Sequence, residues 1–138
     1  MIGYVSVGAD DLDLAEKFYS ALLPALGYKL DISEQGLSYV LPVPQGQRPM
    51  SPDFYVKPPF NGQPASAGNG TMVAFEAPTQ AQVRVLHAAA LAAGGHNEGA
   101  PGFRASYSAN FYVGYLRDPQ GNKIALFCDQ KDQPTRPD

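Results

Sequence analysis

One pattern of hydrophobic and polar positions occurs twice along the chain. A short run of alternating residues is followed by a polar segment, an amphipathic stretch and a glycine. When residue 4 is placed over residue 72, an offset of 72 − 4 = 68, Val5 lies over Val73 and Gly27 lies over Gly95. Alternation with a period of two predicts a strand, and apolar residues at three- and four-residue steps predict a helix with one buried face. The pattern therefore predicts two copies of a strand–helix unit.

Capping residues flank both predicted helices. Asp10 or Asp11 can accept hydrogen bonds from the free N–H groups at the start of the first helix. Thr79, with Gln82 three residues later, has the pattern of a capping box at the start of the second helix. Gly27 follows the first helix, and glycine readily adopts the left-handed conformation that ends a helix. The two helices are therefore predicted with defined ends.

Strand-like runs follow each helix. They are "KLDIS", "LSYVLPV" and "PDFYVKP" in the first copy, and they lie around "NFYVGYLRD" and "KIALFCD" in the second. Two β-α-β-β-β units of about 60–65 residues are each too small to bury a stable core alone, so we expect them to pair. The predicted organisation is one α+β domain over residues 1–130, with unit one at about 1–60, a Pro/Gly-rich linker at about 58–70, unit two at about 71–130 and a frayed tail at 131–138.

The composition limits the classes of partner. The 138 residues are 44% hydrophobic, and the net charge is −3 with Lys and Arg scattered, so no nucleic-acid partner is expected. The single cysteine, Cys128, excludes an internal disulfide. No apolar stretch approaches the ~20 residues that a membrane helix needs, and the first residues lack the positive charge of a signal peptide. We therefore expect no membrane partner and a cytoplasmic location.

The opening "IGYVSVGADDLDLAEKFYSALLPALGY", the close "YVGYLRDPQGNKIALF" and the repeated plan resemble the vicinal oxygen chelate superfamily. That superfamily includes glyoxalase I, bleomycin- and fosfomycin-resistance proteins and extradiol dioxygenases. The stretch "LHAAALAAGGHNEGAPGFRASYSANFYVGYLRDPQGN" is similar to its small single-domain, glyoxalase-like members, and the resemblance covers nearly the whole chain. It implies one open barrel-like sheet with the helices outside. It also implies a homodimer with clefts near the interface, closed within one chain or across two.

The resemblance further implies a divalent metal held by the first and last strands of each unit. It places the four ligand positions at Tyr4, Tyr55, Met72 and Ala125. None of these residues is a usual ligand, because hard divalent ions take oxygen donors, imidazole suits transition metals and alanine has no donor atom. The only two histidines, His87 and His96, fall on the second helix flank and in the loop after it. We therefore expect no metal and no other cofactor.

Strand alternation predicts what lines the cleft instead. The wall is aromatic and apolar with a few hydroxyls, as in a small-molecule pocket, although a filled interior without a ligand is the alternative. The loop of residues 99–110 contains Arg104, Tyr107 and Ser108. Arg104 is either an anion contact or a solvated arginine. The predicted ligand-binding residues are Tyr4, Ser6, Tyr55, Met72, Arg104, Tyr107, Tyr112, Ala125 and Phe127, with Ala74 beside them.

Three functions are compatible with these observations. The first is a metal-free protein that binds a small apolar or aromatic molecule in its cleft. The second is a lyase, isomerase or dioxygenase-type enzyme that uses unusual residues, and it rests on analogy with the superfamily alone. The third is a structural or regulatory dimer with a vestigial cleft. No Ser-His-Asp or Cys-His arrangement is evident, so no catalytic residue is assigned.

Overall fold

Two β-α-β-β-β units make up the chain, as the repeated pattern predicts. The computed structural model describes all residues 1–138. Unit one contains β1 (Tyr4–Gly8), α1 (Leu12–Tyr19), β2 (Lys29–Ser33), β3 (Gly36–Val40) and β4 (Asp53–Lys57), with a short 3-10 turn at Pro24–Leu26 after α1. Unit two contains β5 (Val73–Glu76), α2 (Gln80–Ala92), β6 (His96–Phe103), β7 (Tyr112–Arg117) and β8 (Lys123–Cys128). No helix is long and apolar enough to cross a membrane.

Each unit has its own four-stranded mixed sheet. The strand orders are β1-β4-β3-β2 and β5-β8-β7-β6, so β1 and β5 are edge strands in equivalent positions. In each sheet the first strand runs parallel to the last strand of the unit, and the remaining neighbours are antiparallel. The α+β class is confirmed. The strands form two separate sheets that do not close into a barrel, rather than a single continuous one.

The predicted N-terminal caps form, with one change of partner. The prediction for Gly27 is wrong, because α1 already ends at Tyr19 and Gly27, with φ 95°, ends the short 3-10 turn instead. The Asp11 carboxylate accepts from the backbone N–H of Leu14 at 3.0 Å, and the Thr79 hydroxyl accepts from that of Gln82 at 3.1 Å. Gln82 does not complete a capping box, because its side-chain amide donates instead to the carbonyl of Ala25 in unit one at 3.2 Å. The second helix is therefore tied to unit one from its first turn.

The two units share one hydrophobic core. Twenty buried residues from α1, α2 and the helix-facing sides of both sheets form a single cluster. The rings of Phe54 in unit one and Phe75 in unit two meet edge to face, with their centroids 5.1 Å apart. Gly95 lies so close to Phe18 that an added Cβ would be 2.5 Å from its ring. Because both helix-facing sides contribute to this core, the outer face of each sheet, defined as the side without a helix, remains open.

The turn Asp118–Asn122 joins the units by buried polar contacts. The Tyr19 hydroxyl of unit one donates to Oδ2 of Asp118 at 2.6 Å, and Oδ1 of Asp118 accepts from the backbone N–H groups of Gln120 and Asn122 at 2.9 Å. The Asn122 amide donates both to Asp118 and to the carbonyl of Gly8 on β1. This turn has the "DPQGN" sequence that predicts a hairpin, and it also fixes the first strand of the other unit.

Candidate ligand-binding cavity

Two alanines on neighbouring strands leave a hollow on the outer face of unit two. Ala74 of β5 lies beside Ala125 of β8, and Ala125 lies beside Tyr115 of β7. Small residues next to a large one create space on a pleated surface, because side chains at paired positions point to the same side of the sheet. The hollow, here called the unit-two cavity, has a volume of about 450 Å³ and is lined by Met72, Ala74, Ser106, Tyr107, Ser108, Phe111, Val113, Tyr115, Ala125 and Phe127.

Aromatic rings form one wall of the unit-two cavity. Phe111 stacks on Phe127 with centroids 5.4 Å apart and 21° between the rings. Tyr107 meets Phe111 edge to face at 5.3 Å. Stacked and edge-to-face pairs are the favoured geometries of aromatic rings, and they hold the side chains in fixed positions. The wall therefore offers a planar apolar surface.

The C-terminal tail holds the loop that carries this wall. The Arg136 guanidinium donates to the carbonyls of Arg104 and Tyr107, both at 2.9 Å. The backbone N–H of Arg136 donates to the carbonyl of Ala109 at 2.7 Å. The expectation that residues 131–138 are frayed is therefore wrong at Arg136, whose backbone and side chain donate hydrogen bonds to carbonyl groups of the loop.

The polar groups of the unit-two cavity are hydroxyls. Tyr107 and Tyr115 line it together with Ser106 and Ser108, and no charged residue does. Burial, and then the neighbouring hydroxyl of Tyr107, raise the pKa of Tyr115. Neutral hydroxyls both donate and accept hydrogen bonds. The cavity can therefore hold a neutral aromatic molecule and orient one polar group.

Unit one presents a different outer face. Tyr4 and Tyr55 lie on it with ring centroids 5.3 Å apart, and Ser6 is paired with Tyr55. Tyr4 and Ser6 line a groove of about 910 Å³ that also includes Lys57 and Phe60. No residue of this groove lines the unit-two cavity. Within one chain, the structure therefore brings Met72, Tyr107, Ala125 and Phe127 together and leaves Tyr4, Ser6 and Tyr55 apart from them.

Tyr112 lies on the opposite side of its strand from the one expected. It pairs with Cys128 and faces the core, where its ring meets Phe103 edge to face at 5.1 Å. Both sides of "YVGYLR" are apolar, so alternation alone does not decide which one faces the cavity. Counting back from the hairpin turn would have decided it, because Arg117 pairs with Lys123 and this places Tyr115 opposite Ala125. Val113 and Tyr115 occupy the cavity side instead.

Arg104 lies behind the unit-two cavity rather than in its lining. Its guanidinium donates to the carbonyls of Ala100 and Phe103 at 2.8 and 3.1 Å. Its Cζ atom is 5.5 Å from the centroid of the Tyr115 ring. The predicted loop at 99–110 begins as strand β6, and the Arg104 guanidinium binds the carbonyls of that strand and contacts one tyrosine of the cavity. Ser106, Phe111, Val113 and Tyr115 also line the cavity and are absent from the predicted ligand-binding residues.

His87 is buried, not exposed on the flank of the helix. Only 4% of its surface is accessible, and its Nε2 atom is 3.1 Å from the carbonyl oxygen of Tyr115. An added Cβ on Gly114 would lie 2.9 Å from the imidazole ring. The absence of a side chain at Gly114 therefore leaves the space in which the histidine packs.

The residues at the four superfamily ligand positions do not fit a divalent metal. Tyr4 and Tyr55 lie on one outer face, and Met72 and Ala125 lie in the unit-two cavity. The donors on offer are two phenols and one thioether, which are unlike the carboxylate and imidazole ligands of such metals. Nowhere in the chain do three or more His, Cys, Asp or Glu side chains form a group that could hold a metal ion.

Comparison with solved structures defines the class of protein. A glyoxalase/bleomycin resistance protein from Albidiferax ferrireducens T118 is 38% identical, with a TM-score of 0.79 over 94% of this chain and 99% of that one. The chain belongs to the glyoxalase/bleomycin resistance protein family, which confirms the resemblance to the vicinal oxygen chelate superfamily.

More distant structures share the fold. A glyoxalase-related enzyme from Fulvimarina pelagi is 17% identical, with a TM-score of 0.68 over 93% of this chain and 87% of that one. A glyoxalase/bleomycin resistance protein/dioxygenase family enzyme from Burkholderia phytofirmans PsJN is also 17% identical, with a TM-score of 0.66 over 93% and 98%. No family model and no curated protein matches the chain.

Proposed function

We propose that this protein binds a small apolar or aromatic molecule, without a metal, in the unit-two cavity. The observation that supports the proposal is the lining, in which stacked Phe111 and Phe127 face two alanines with hydroxyls at the rim. Ligand sites are typically cavities of about 300–1,000 Å³ that are mostly apolar and have few polar groups. The volume of about 450 Å³ is within this range.

Binding without a metal follows from the donors at the expected positions. Ala125 has no ligand atom, and Met72 has a soft thioether, so a hard divalent ion gains little there. The binding energy must then come from buried apolar area and from hydrogen bonds with the hydroxyls of Tyr107 and Tyr115. The single cysteine, Cys128, is free and buried. That state is compatible with a reducing compartment, so a cytoplasmic location is part of the proposal.

We further propose that a homodimer covers the cavity. The outer faces of the two units do not share a groove in one chain, so a cleft that uses both needs a second copy. Unit one exposes large apolar side chains in its groove, where Tyr4 is 64% accessible and Phe60 is fully exposed. Contiguous exposed apolar surface favours association. In the proposed dimer, Tyr4 and Tyr55 of one copy face Met72 and Ala125 of the other.

The test combines metal analysis with calorimetric titration of a planar aromatic probe, 2-naphthol. Protein purified without a metal-binding tag should contain no stoichiometric Zn, Ni, Mn or Fe, and chelators should not change its melting temperature. The probe should bind the chelated protein. Ala125→Trp fills the cavity and should abolish binding, whereas Ala88→Trp places the same ring on the exposed side of α2 and should leave the affinity unchanged.

Several results would contradict the proposal. One such result is the presence of one equivalent of tightly held metal. Another is an Ala125→Trp variant that folds and binds 2-naphthol as tightly as the wild type does. Overpacking a filled interior costs about 1–3 kcal/mol, so a large fall in the melting temperature of Ala125→Trp would indicate that no open cavity exists. Sedimentation should give twice the chain mass of 14.8 kDa, and a monomer mass at micromolar concentration would exclude the dimer.

A further inference from the structure

A second cavity lies where the two units meet, and the function proposed above does not use it. It has a volume of about 480 Å³ and is called here the junction cavity. Unit one contributes residues near the starts of β1, β2 and β4 and the end of β3, and unit two contributes the edge strand β5 and the residues after it. Ala74 of β5 and Phe127 of β8 line both cavities, so the two cavities adjoin each other.

The floor of the junction cavity is apolar and aromatic. Phe54 and Phe75 meet edge to face at 5.1 Å, and Tyr28 meets Phe75 in the same way at 6.0 Å. Val5 and Val73 also line it. These side chains are partly or fully buried in the shared core, and they are held by the packing of both units. The floor is therefore a preformed surface for an apolar or aromatic group.

The charged residues of the junction cavity are both acids. Asp53 and Glu76 line it, and no Lys, Arg or His does. Neither carboxylate is in a salt bridge, since the one ion pair of the chain joins Arg117 to Glu98. Asp53 accepts only from the Tyr55 hydroxyl at 3.2 Å, and Glu76 only from the Gln130 amide at 2.9 Å. Two negative charges beside an apolar floor favour a cation and disfavour an anion.

A tyrosine hydroxyl adds a third polar group. Tyr28 lines the junction cavity, and its hydroxyl forms no hydrogen bond within the chain. Burial and the nearby Asp53 carboxylate raise the pKa of Tyr28, so the hydroxyl stays protonated and neutral at physiological pH. Aromatic rings also attract cations, so the half-buried Tyr28 ring adds to the preference set by the carboxylates.

We propose that the junction cavity is a second ligand site, and that it takes a small protonated amine with an aromatic or aliphatic body. The apolar body lies on the half-buried Val5, Tyr28 and Val73, which the buried Phe54 and Phe75 support from below. The ammonium group faces Asp53 and Glu76, and the Tyr28 hydroxyl is available as an acceptor for one N–H.

The test uses three probes of matched shape and different charge. They are 2-phenylethylamine, which is a cation at neutral pH, 2-phenylethanol, which is neutral, and phenylacetate, which is an anion. Each is titrated into isotope-labelled full-length protein and followed by NMR. The amine should shift the amide signals of Phe54, Phe75 and Ala77. It should bind at least about tenfold more tightly than the alcohol, because it gains two carboxylate partners and the aromatic faces. Phenylacetate should not bind there.

Substitutions identify the residues responsible. Asp53→Asn and Glu76→Gln should each weaken amine binding by about three- to fivefold, the scale of one partly solvated ion pair, and the double variant by more. Asp31→Asn changes the net charge equally at an exposed position of β2 and should have no effect. Ala125→Trp, which fills only the unit-two cavity, should leave amine binding unchanged. This variant distinguishes the two proposals, because it should abolish binding of 2-naphthol and keep binding of the amine.

Other outcomes overturn the proposal. Equal binding of the amine and the alcohol would remove the role of the carboxylates. An absence of amine binding to the wild type would show that the cavity is closed or covered in the assembled protein. Affinity losses no larger than that of Asp31→Asn would exclude Asp53 and Glu76 as partners. If one acidic variant does not fold, the other variant and the three probes on the wild type still test whether the carboxylates bind the amine.

Discussion

The two units have the same strand order and different outer faces. In unit one, Ser6 of β1 lies beside Tyr55 of β4, and Tyr55 lies beside Ser38 of β3. The large residue is at the centre of this row, and its ring packs against Tyr4 at an angle of 31°. The central tyrosine therefore occupies the space that two flanking serines would leave.

Unit two reverses this arrangement. The equivalent row is Ala74, Ala125 and Tyr115, so the centre is small and the tyrosine is at one side. Aromatic residues from the preceding loop then surround the centre without filling it. The residue in the middle of the last strand thus determines whether the centre of the row is filled or open, and the unit-one groove lies beside its filled centre. The same backbone plan therefore places a tilted pair of tyrosines at the centre of one outer face and an apolar cavity at the centre of the other.

The largest effect should come from separating the two units. Asp118→Ala removes the acceptor of four hydrogen bonds at the junction and leaves the buried Tyr19 hydroxyl without its partner. Unsatisfied buried groups cost about 1–3 kcal/mol each, so we expect a loss of about 3–5 kcal/mol in the free energy of unfolding. Urea denaturation measures it, and Asp31→Ala on the exposed β2 is the control. A loss below about 1 kcal/mol would mean that the turn does not hold the units together.

Removing the wall of the cavity should weaken binding without unfolding the protein. Phe111→Ala deletes the ring that stacks on Phe127 and meets Tyr107. We expect about a two- to tenfold loss of 2-naphthol affinity, because one aromatic contact contributes about 0.5–1.5 kcal/mol. Calorimetric titration provides the affinity, and Leu14→Ala on the exposed side of α1 should leave it unchanged. Unchanged affinity in Phe111→Ala would exclude the aromatic wall from the site.

The junction should also make stability depend on alkaline pH. Burial, followed by the Asp118 carboxylate, raises the pKa of Tyr19 well above its ordinary value of 10.0. The folded state therefore retains this proton more tightly than the unfolded state, so the contribution is complete below about pH 10 and falls as the pH rises above it. We expect a smaller loss of stability between about pH 9 and pH 11 in Tyr19→Phe than in the wild type. Parallel curves for the two proteins would contradict this.

The smallest effect should come from making unit one resemble unit two. Tyr55→Ala opens the centre of its row, but Tyr55 is only partly buried and its ring contacts the exposed Tyr4. We expect a stability change within about 1 kcal/mol. In the proposed dimer the same variant should reduce 2-naphthol affinity by a few fold, since the partner loses an aromatic cover. No change in affinity would place Tyr55 outside the ligand site.

The sequence was sufficient for the fold because local signals agree with one another. The caps at Asp11 and Thr79 form as predicted, and alternation assigned the sides of β5 and β8 correctly. It was insufficient for β7, where both sides are apolar and Tyr112 was assigned to the wrong one. The hairpin turn contained the missing register, since pairing counted back from Asp118 places Tyr115 beside Ala125.

Non-local contacts account for the remaining differences. Arg104 was expected to be either an anion contact or a solvated arginine, and two carbonyls of β6 accept hydrogen bonds from it. Arg136 was expected in a frayed tail, and it holds the loop that carries Tyr107. The separation of the two outer faces within one chain depends on how the units pack. No local pattern of residues encodes that packing.

The most direct test of metal-free binding in unit two is an NMR titration of chelator-treated protein with 2-naphthol. If the account is right, amide signals of Tyr107, Phe111, Tyr115 and Ala125 shift together and saturate at one probe per chain. Adding Zn²⁺ or Mn²⁺ afterwards does not change the affinity. Binding that requires the metal, or a saturating response that leaves these four residues unchanged, would contradict the account.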